Sequence, residues 1–166
     1  MKIQLNYDDP TQIKTDLLVV ILDSGMKLHD LKGSPLAETV GRVAQDIKDK
    51  RIKKEYFTGL DSRSPVRNLL IFSTSLNTAY NVWENLKTYV ARSVRVANDM
   101  GLARISILLN TNDAAPLVGK AVEGAILGGY TFDRYKKEKS GLDKIRVDLI
   151  ALKAHDQENR RRLNRY

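Results

Sequence analysis

Leu17-Leu18-Val19-Val20-Ile21-Leu22 is an uninterrupted apolar run, without the alternation of a strand that keeps one face in water. A strand covered on both faces reads this way, as in a parallel sheet held between two helical layers. Leu69-Leu70-Ile71-Phe72 repeats the pattern. Arg104 to Leu109 and Ile145 to Ala151 predict two further strands, the last with Val147, Leu149 and Ala151 on one face. Ile3 and Leu5 alternate with polar neighbours and predict a short edge strand.

Between these strands the apolar spacing changes to that of helices. Ser34 is placed to cap a helix with Pro35 at its first position, and Leu36, Val40, Val43, Ala44 and Ile47 then form one stripe opposite Arg42, Asp46 and Lys48. A longer helix is predicted from about Thr78 to Met100. Ala79, Val82, Trp83, Leu86, Val90, Val94 and Ala97 form its stripe, and Gly101 supplies the left-handed residue beyond its end. Asn110-Thr111-Asn112-Asp113 offers caps for a third helix reaching about Gly128, with Val118, Ala121, Val122 and Ala125 inward. Gly119, Gly124, Gly128 and Gly129 fall within or just after it, each interior glycine costing ~1 kcal/mol relative to alanine. Such a cluster predicts close approach of another backbone. Residues 55–67, mixing Gly, Ser, Pro and charges, read as loop. The element order predicts an α/β fold of three layers, α/β/α, around a mostly parallel mixed sheet.

The 166 residues make one domain, 1–151, followed by a basic segment, 152–166, with too few apolar positions for a core. No apolar run is long enough to span a bilayer and the first residues lack a signal-peptide layout, so a cytoplasmic location is expected. The chain contains no cysteine, which excludes disulfides, thiolate zinc sites and a cysteine nucleophile.

No segment clusters the carboxylates of a two-metal hydrolase, and Asp8-Asp9 before Pro10 reads as a turn. His29-Asp30 and His155-Asp156 lack any G-x-S-x-G elbow or metal spacing and read as surface histidines. Asp23-Ser24-Gly25 and Asn110 to Asp113 follow strands, where open α/β sheets bind ligands. Neither is a glycine-rich phosphate loop, and Asp113 at a helix start opposes a phosphate. No catalytic, cofactor-binding or metal-binding residue is therefore assigned.

The net charge is +8, and it is unevenly placed. Residues 48–54 hold five basic side chains against one acidic, and residues 136–166 hold ten against five, whereas 55–135 is nearly balanced at eight against seven. A candidate basic surface follows: Lys50, Arg51, Lys53 and Lys54, with Arg160, Arg161 and Arg162. Tyr56 and Phe57 adjoin the first run, but no extended aromatic platform accompanies them. A solvated helix end and tail explain the same charges.

The stretch from Ala121 to Lys136 is more specific. Its Glu123-Gly124, Leu127-Gly128, Tyr130, Phe132 and Tyr135-Lys136 follow the form E-G-x-x-L-G-x-Y-x-F-x-x-Y-K. It resembles the end of the N-terminal domain of the cytosol (leucyl) aminopeptidase family, and residues 1–151 follow that domain's element order. A glycine-containing strand end common in the family is replaced by Phe72-Ser73-Thr74-Ser75. The resemblance implies a macrodomain-like fold, with 152–166 as a linker or the start of an inter-domain helix. It further implies a partner catalytic domain that holds two divalent metals, Zn or Mn, and removes N-terminal amino acids within a hexamer. The family's metal ligands and its N-T-D-A-E-G-R-L signature match no position here, so this chain alone is expected to be no enzyme and to carry no cofactor. The alternative is a binding module for nucleic acid or an ADP-ribose-like nucleotide. No membrane partner is expected.

Overall fold

The computed structural model describes residues 1–6, 12–22, 31, 35–52, 55–61, 64–73, 79–109, 115–130 and 144–151. In chain order these form β1 (Lys2–Asn6), β2 (Thr15–Leu22), α1 (Pro35–Lys48), β3 (Glu55–Gly59), β4 (Val66–Ser73), α2 (Ala79–Asp99), β5 (Arg104–Leu108), α3 (Ala115–Gly129) and β6 (Arg146–Ile150). One six-stranded sheet runs β1-β6-β5-β2-β4-β3. All neighbours are parallel except β3, which is antiparallel to β4.

The strands expected to be covered on both faces are so covered. Leu17 and Val19 enter one core with α2 and α3, while Leu18, Val20 and Leu22 enter the other with α1. Leu69 and Ile71 divide from Leu70 and Phe72 in the same way. The result is three layers, helix, sheet and helix, and the α1 stripe of Leu36, Val40, Val43 and Ala44 is buried against the sheet. Ile3 and Leu5 sit on the edge strand β1, bonded to β6 alone.

The C-termini of α1 and α2 close in the same manner. After α2, Leu102 N–H donates to Ala97 C=O at 2.8 Å and Gly101 N–H to Asn98 C=O at 3.1 Å, with Gly101 at φ 67°. This paired bonding satisfies carbonyls that the helix leaves open, and Leu102 packs into the same core as Ala97.

The expectation of a loop over 55–67 is corrected: Glu55–Gly59 is β3. An edge strand is bonded on one side and buries every second residue, so Glu55 and Phe57 stay exposed and only Tyr56 and Leu60 nearby reach the core. A run of this kind has little apolar signal. The strand expected from Leu17 begins two residues earlier, at Thr15, and α3 begins at Ala115 among the described residues. The caps proposed at Ser34 and at 110–113 lie outside them.

The glycines of α3 face α2 at very short range. A Cβ on Gly124 would stand 2.5 Å from Lys87 C=O, and one on Gly128 would stand 2.6 Å from Ala91 C=O and 2.8 Å from Ala91 Cα. Backbone cannot yield as a flexible side chain can, so both positions require hydrogen in place of a side chain. Gly41 in α1, by contrast, has nothing within 4 Å. Urea unfolding should therefore separate two glycine substitutions of opposite sign. Gly128→Ala is expected to destabilise by about 1–3 kcal/mol through overpacking, and Gly41→Ala to stabilise by about 0.5–1 kcal/mol. A Gly128→Ala protein as stable as the wild type would rule out the close helix contact.

Candidate functional site

The sheet has two functional edges. β2 is followed by a crossover through α1 toward β3 and β4, and β5 by a crossover through α3 toward β6. Adjacent strands whose crossovers diverge create a crevice beyond their C-terminal ends, where open α/β sheets take ligands. The connections there, 23–30 and 110–114, lie outside the described residues, as do His29, His155 and Asp8-Asp9. Beside this edge the Tyr89 hydroxyl donates to Ser73 C=O at 3.1 Å, and its ring stacks on Phe72 with centroids 4.5 Å apart. Burial of that hydroxyl raises its pKa above the usual tyrosine range.

At the opposite edge, where β2, β5 and β6 begin, lies an open cleft of about 870 Å³. Its cations among the described residues are Lys14, Arg67, Arg104, Lys144 and Arg146, set against Asp16 and Asp61. Asp16 organises the cleft. Its Oδ2 accepts from the backbone N–H of Ala103 at 3.2 Å and of Arg104 at 3.0 Å, and its Oδ1 lies 3.9 Å from Arg67 Nε. Asn68 Nδ2 donates to Asp16 C=O at 2.9 Å, and Thr15 Oγ1 donates to Arg104 C=O at 3.0 Å. These bonds tie β2 to both of its neighbours and hold Arg104 over the strand ends. A further 3.0 Å bond from Arg104 Nη1 to Lys14 C=O fixes its guanidinium.

Sequence reasoning missed this cleft because its cations come from four separate places in the chain, of which only the Lys144–Arg146 stretch lies in a segment that the charge count singles out. The available signal was polar residues at inward positions of otherwise apolar strands: Arg104-x-Ser106 and Arg146-x-Asp148.

The candidate basic surface is elsewhere. Lys50 and Arg51 follow the end of α1, where cations favour the helix dipole. Lys50 N–H donates to Ile47 C=O at 3.0 Å and Arg51 N–H to Asp46 C=O at 2.8 Å, the same closure as at the end of α2. Arg51 pairs with Asp46 at 3.7 Å with its side chain 73% exposed. Lys53, Lys54, Arg160, Arg161 and Arg162 lie outside the described residues. Tyr56 and Phe57 project to opposite faces of β3, Tyr56 against the α1-side core and Phe57 into solvent, so they do not form one stacking surface.

Among the described residues no three His, Cys, Asp or Glu side chains converge as metal ligands, and no metal-dependent step is assigned to this chain. None of the described helices is long and apolar enough to cross a membrane.

No protein-family model matches the sequence, and no curated protein matches it. The fold is similar to that of a tomato leucine aminopeptidase mutant, with TM-score 0.66 and 14% identity, covering 99% of this chain and 35% of that one. It is similar to the Oceanobacillus iheyensis macrodomain solved with ADP, with TM-score 0.65 and 12% identity over 98% of this chain and 90% of the other. The macrodomain of Mycobacterium tuberculosis DarG matches with TM-score 0.59 and 12% identity, over 89% and 96%. The chain thus spans about a third of the aminopeptidase and nearly all of each macrodomain. Its fold is macrodomain-like: a mixed sheet between helical layers.

Lys50 occupies the left-handed position of its helix closure, at φ 58°, where Gly101 serves α2. A side chain there costs roughly 1–2 kcal/mol that glycine avoids. Lys50→Gly is expected to raise stability by about 1 kcal/mol in urea unfolding. No gain would mean that the lysine side chain makes compensating contacts.

Proposed function

We propose that this chain forms the N-terminal, non-catalytic domain of a leucyl-aminopeptidase-like metallopeptidase. The observation that carries the reading is the Ala121–Lys136 stretch together with the role its glycines take. Gly124 and Gly128, two fixed points of the E-G-x-x-L-G pattern, are the positions where α2 backbone leaves no room for a Cβ. The same fold occurs as 35% of the tomato aminopeptidase chain, in keeping with one domain of a larger enzyme. The described residues gather no cluster of three metal-ligating side chains, and the sequence has no cysteine to serve as a nucleophile. On this reading the two divalent metals, Zn or Mn, belong to a separate catalytic domain of the same polypeptide. The present domain shapes access to the active sites and contributes contacts between like subunits in a cytoplasmic hexamer, with residues 152–166 as the linker.

A second reading, a module that binds an ADP-ribose-like nucleotide or nucleic acid, is favoured by the macrodomain likeness and by the crevice between β2 and β5. The sequence of the connections at that crevice weighs against a pyrophosphate. They carry Asp23 and Asp113 and contain no G-x-G-x-x-G, so the helix start that could attract a phosphate has an anion beside it.

The test is hydrolysis of a leucine chromogenic amide with added manganese or zinc, by this chain and by any longer product of the same gene. Activity in the longer product alone is expected. Turnover by this chain would sink the non-catalytic assignment. Silence in both, joined to a saturable calorimetric response to ADP-ribose here, would move the conclusion to the binding module.

A further inference from the structure

The α1-side face of the sheet changes character from one half to the other. Over β2 and β4 it is apolar and covered by α1. Over β5 and β6 the residues in register are Arg104 beside Arg146, and Ser106 beside Asp148. β1 adds Lys2 beside Arg146 and Gln4 beside Asp148. Above them lies a pocket of about 280 Å³, rimmed by Gln12 to Lys14 from the connection between β1 and β2. It opens beside the large basic cleft, sharing Lys14, Arg104 and Arg146 with it.

Two features of this pocket are unfavourable in an empty protein. The Ser106 hydroxyl is buried, the residue 1% exposed, and its Oγ has no hydrogen-bond partner. A buried polar atom in that state is a cost that native proteins avoid. Arg104 and Arg146 also stand opposite one another on neighbouring strands, two like charges of which Arg146 is paired with Asp148. Bound anionic oxygen answers both, accepting from the hydroxyl and lying between the guanidinium groups.

The floor narrows which anion fits. Asp148 is buried, and its Oδ1 accepts from Arg146 Nε at 3.0 Å, leaving Oδ2 able to accept from a ligand. An ionised carboxylate only accepts, so a ligand touching it must donate a proton while its other oxygens accept from arginine and serine. Sulfate and carboxylate anions carry no such proton near neutrality. A phosphoryl group keeps one at mildly acidic pH, since its second ionisation falls near pH ~6.

We propose that this pocket is a phosphate site that takes a monoprotonated phosphoryl group, either free phosphate or the end of a small phosphomonoester whose organic part lies in the adjoining cleft. The charged groups among its described lining residues are Lys14, Arg104, Arg146 and Asp148, and none of those described residues comes from α1, α2 or α3. It runs along the sheet face from Arg104 and Arg146 at the strand starts to Asn6 and Ile150 at the ends of β1 and β6, and the inference stands independently of the aminopeptidase reading.

Calorimetric titration of the full chain with inorganic phosphate, glycerol phosphate and sulfate, at matched ionic strength and at pH 6 and pH 8, tests this directly. Saturable binding of phosphate is expected at pH 6, with sulfate at least about tenfold weaker, because one hydrogen bond to a charged group is lost. Affinity should fall by about tenfold or more by pH 8 as the ligand proton is lost. Tighter binding of glycerol phosphate than of inorganic phosphate would identify a phosphomonoester, and the reverse the free ion. Ser106→Ala should fold with undiminished stability, since it removes the orphan hydroxyl, yet bind phosphate about tenfold more weakly. Asp148→Asn, which can donate, should bring sulfate level with phosphate. Equal binding of sulfate and phosphate by the wild type, unchanged affinity in Ser106→Ala, or no saturable response to phosphate would each overturn the proposal.

Discussion

The contact between α2 and α3 sets the geometry of the larger core. Lys87 C=O and Ala91 Cα occupy the space that side chains at Gly124 and Gly128 would fill, so two helices share one face of the sheet at backbone range. Their separation determines how Val90 and Val94 of α2 and Ala121 and Ala125 of α3 meet the strand residues Leu17, Val19, Ile105, Ile107, Val147 and Leu149. Those strand residues alternate with a second set that packs against α1, so the spacing of one helical layer constrains the sheet on which the other rests. The glycines are poor helix formers by intrinsic propensity, and the close packing they permit is what offsets that cost.

Much of this architecture is legible in the chain because burial leaves a periodic trace. Leu17–Leu22 and Leu69–Phe72 lack alternation for the physical reason that both faces of their strands are covered, and the stripe from Leu36 to Ala44 marks a helix covered on one side. The glycine cluster signals a close backbone approach, which the structure shows at two of its four positions, Gly124 and Gly128. The strand Glu55–Gly59 leaves no comparable trace. Bonded on one side and half in solvent, it has two exposed positions among its first three, and its identity comes from pairing with β4 rather than from its own composition.

The site residues are less legible for a related reason. A linear charge count finds runs, and the runs here are the end of α1 and the 136–166 segment. The cleft at the start of the strands joins Lys144 and Arg146 of that second segment to Lys14, Arg67 and Arg104, which only the sheet register and the crossovers bring to them. Lys50 and Arg51 illustrate the converse. Conspicuous in sequence, they close a helix, with Lys50 in a left-handed conformation and Arg51 paired to Asp46.

The two edges of the sheet therefore differ in kind. At the C-terminal edge the topology supplies a crevice, and the connecting sequences carry Asp23 and Asp113 and no G-x-G-x-x-G. At the N-terminal edge the topology promises nothing, yet Asp16 binds two backbone N–H groups and thereby fixes Arg104 over an inward-facing Ser106 and Asp148. Fold-level likeness directs attention to the first edge, because that is where strand order predicts ligands. The chemistry of the residues directs it to the second. A macrodomain-like sheet that holds an unpartnered buried hydroxyl beside opposed arginines has placed these polar groups apart from the position its topology favours.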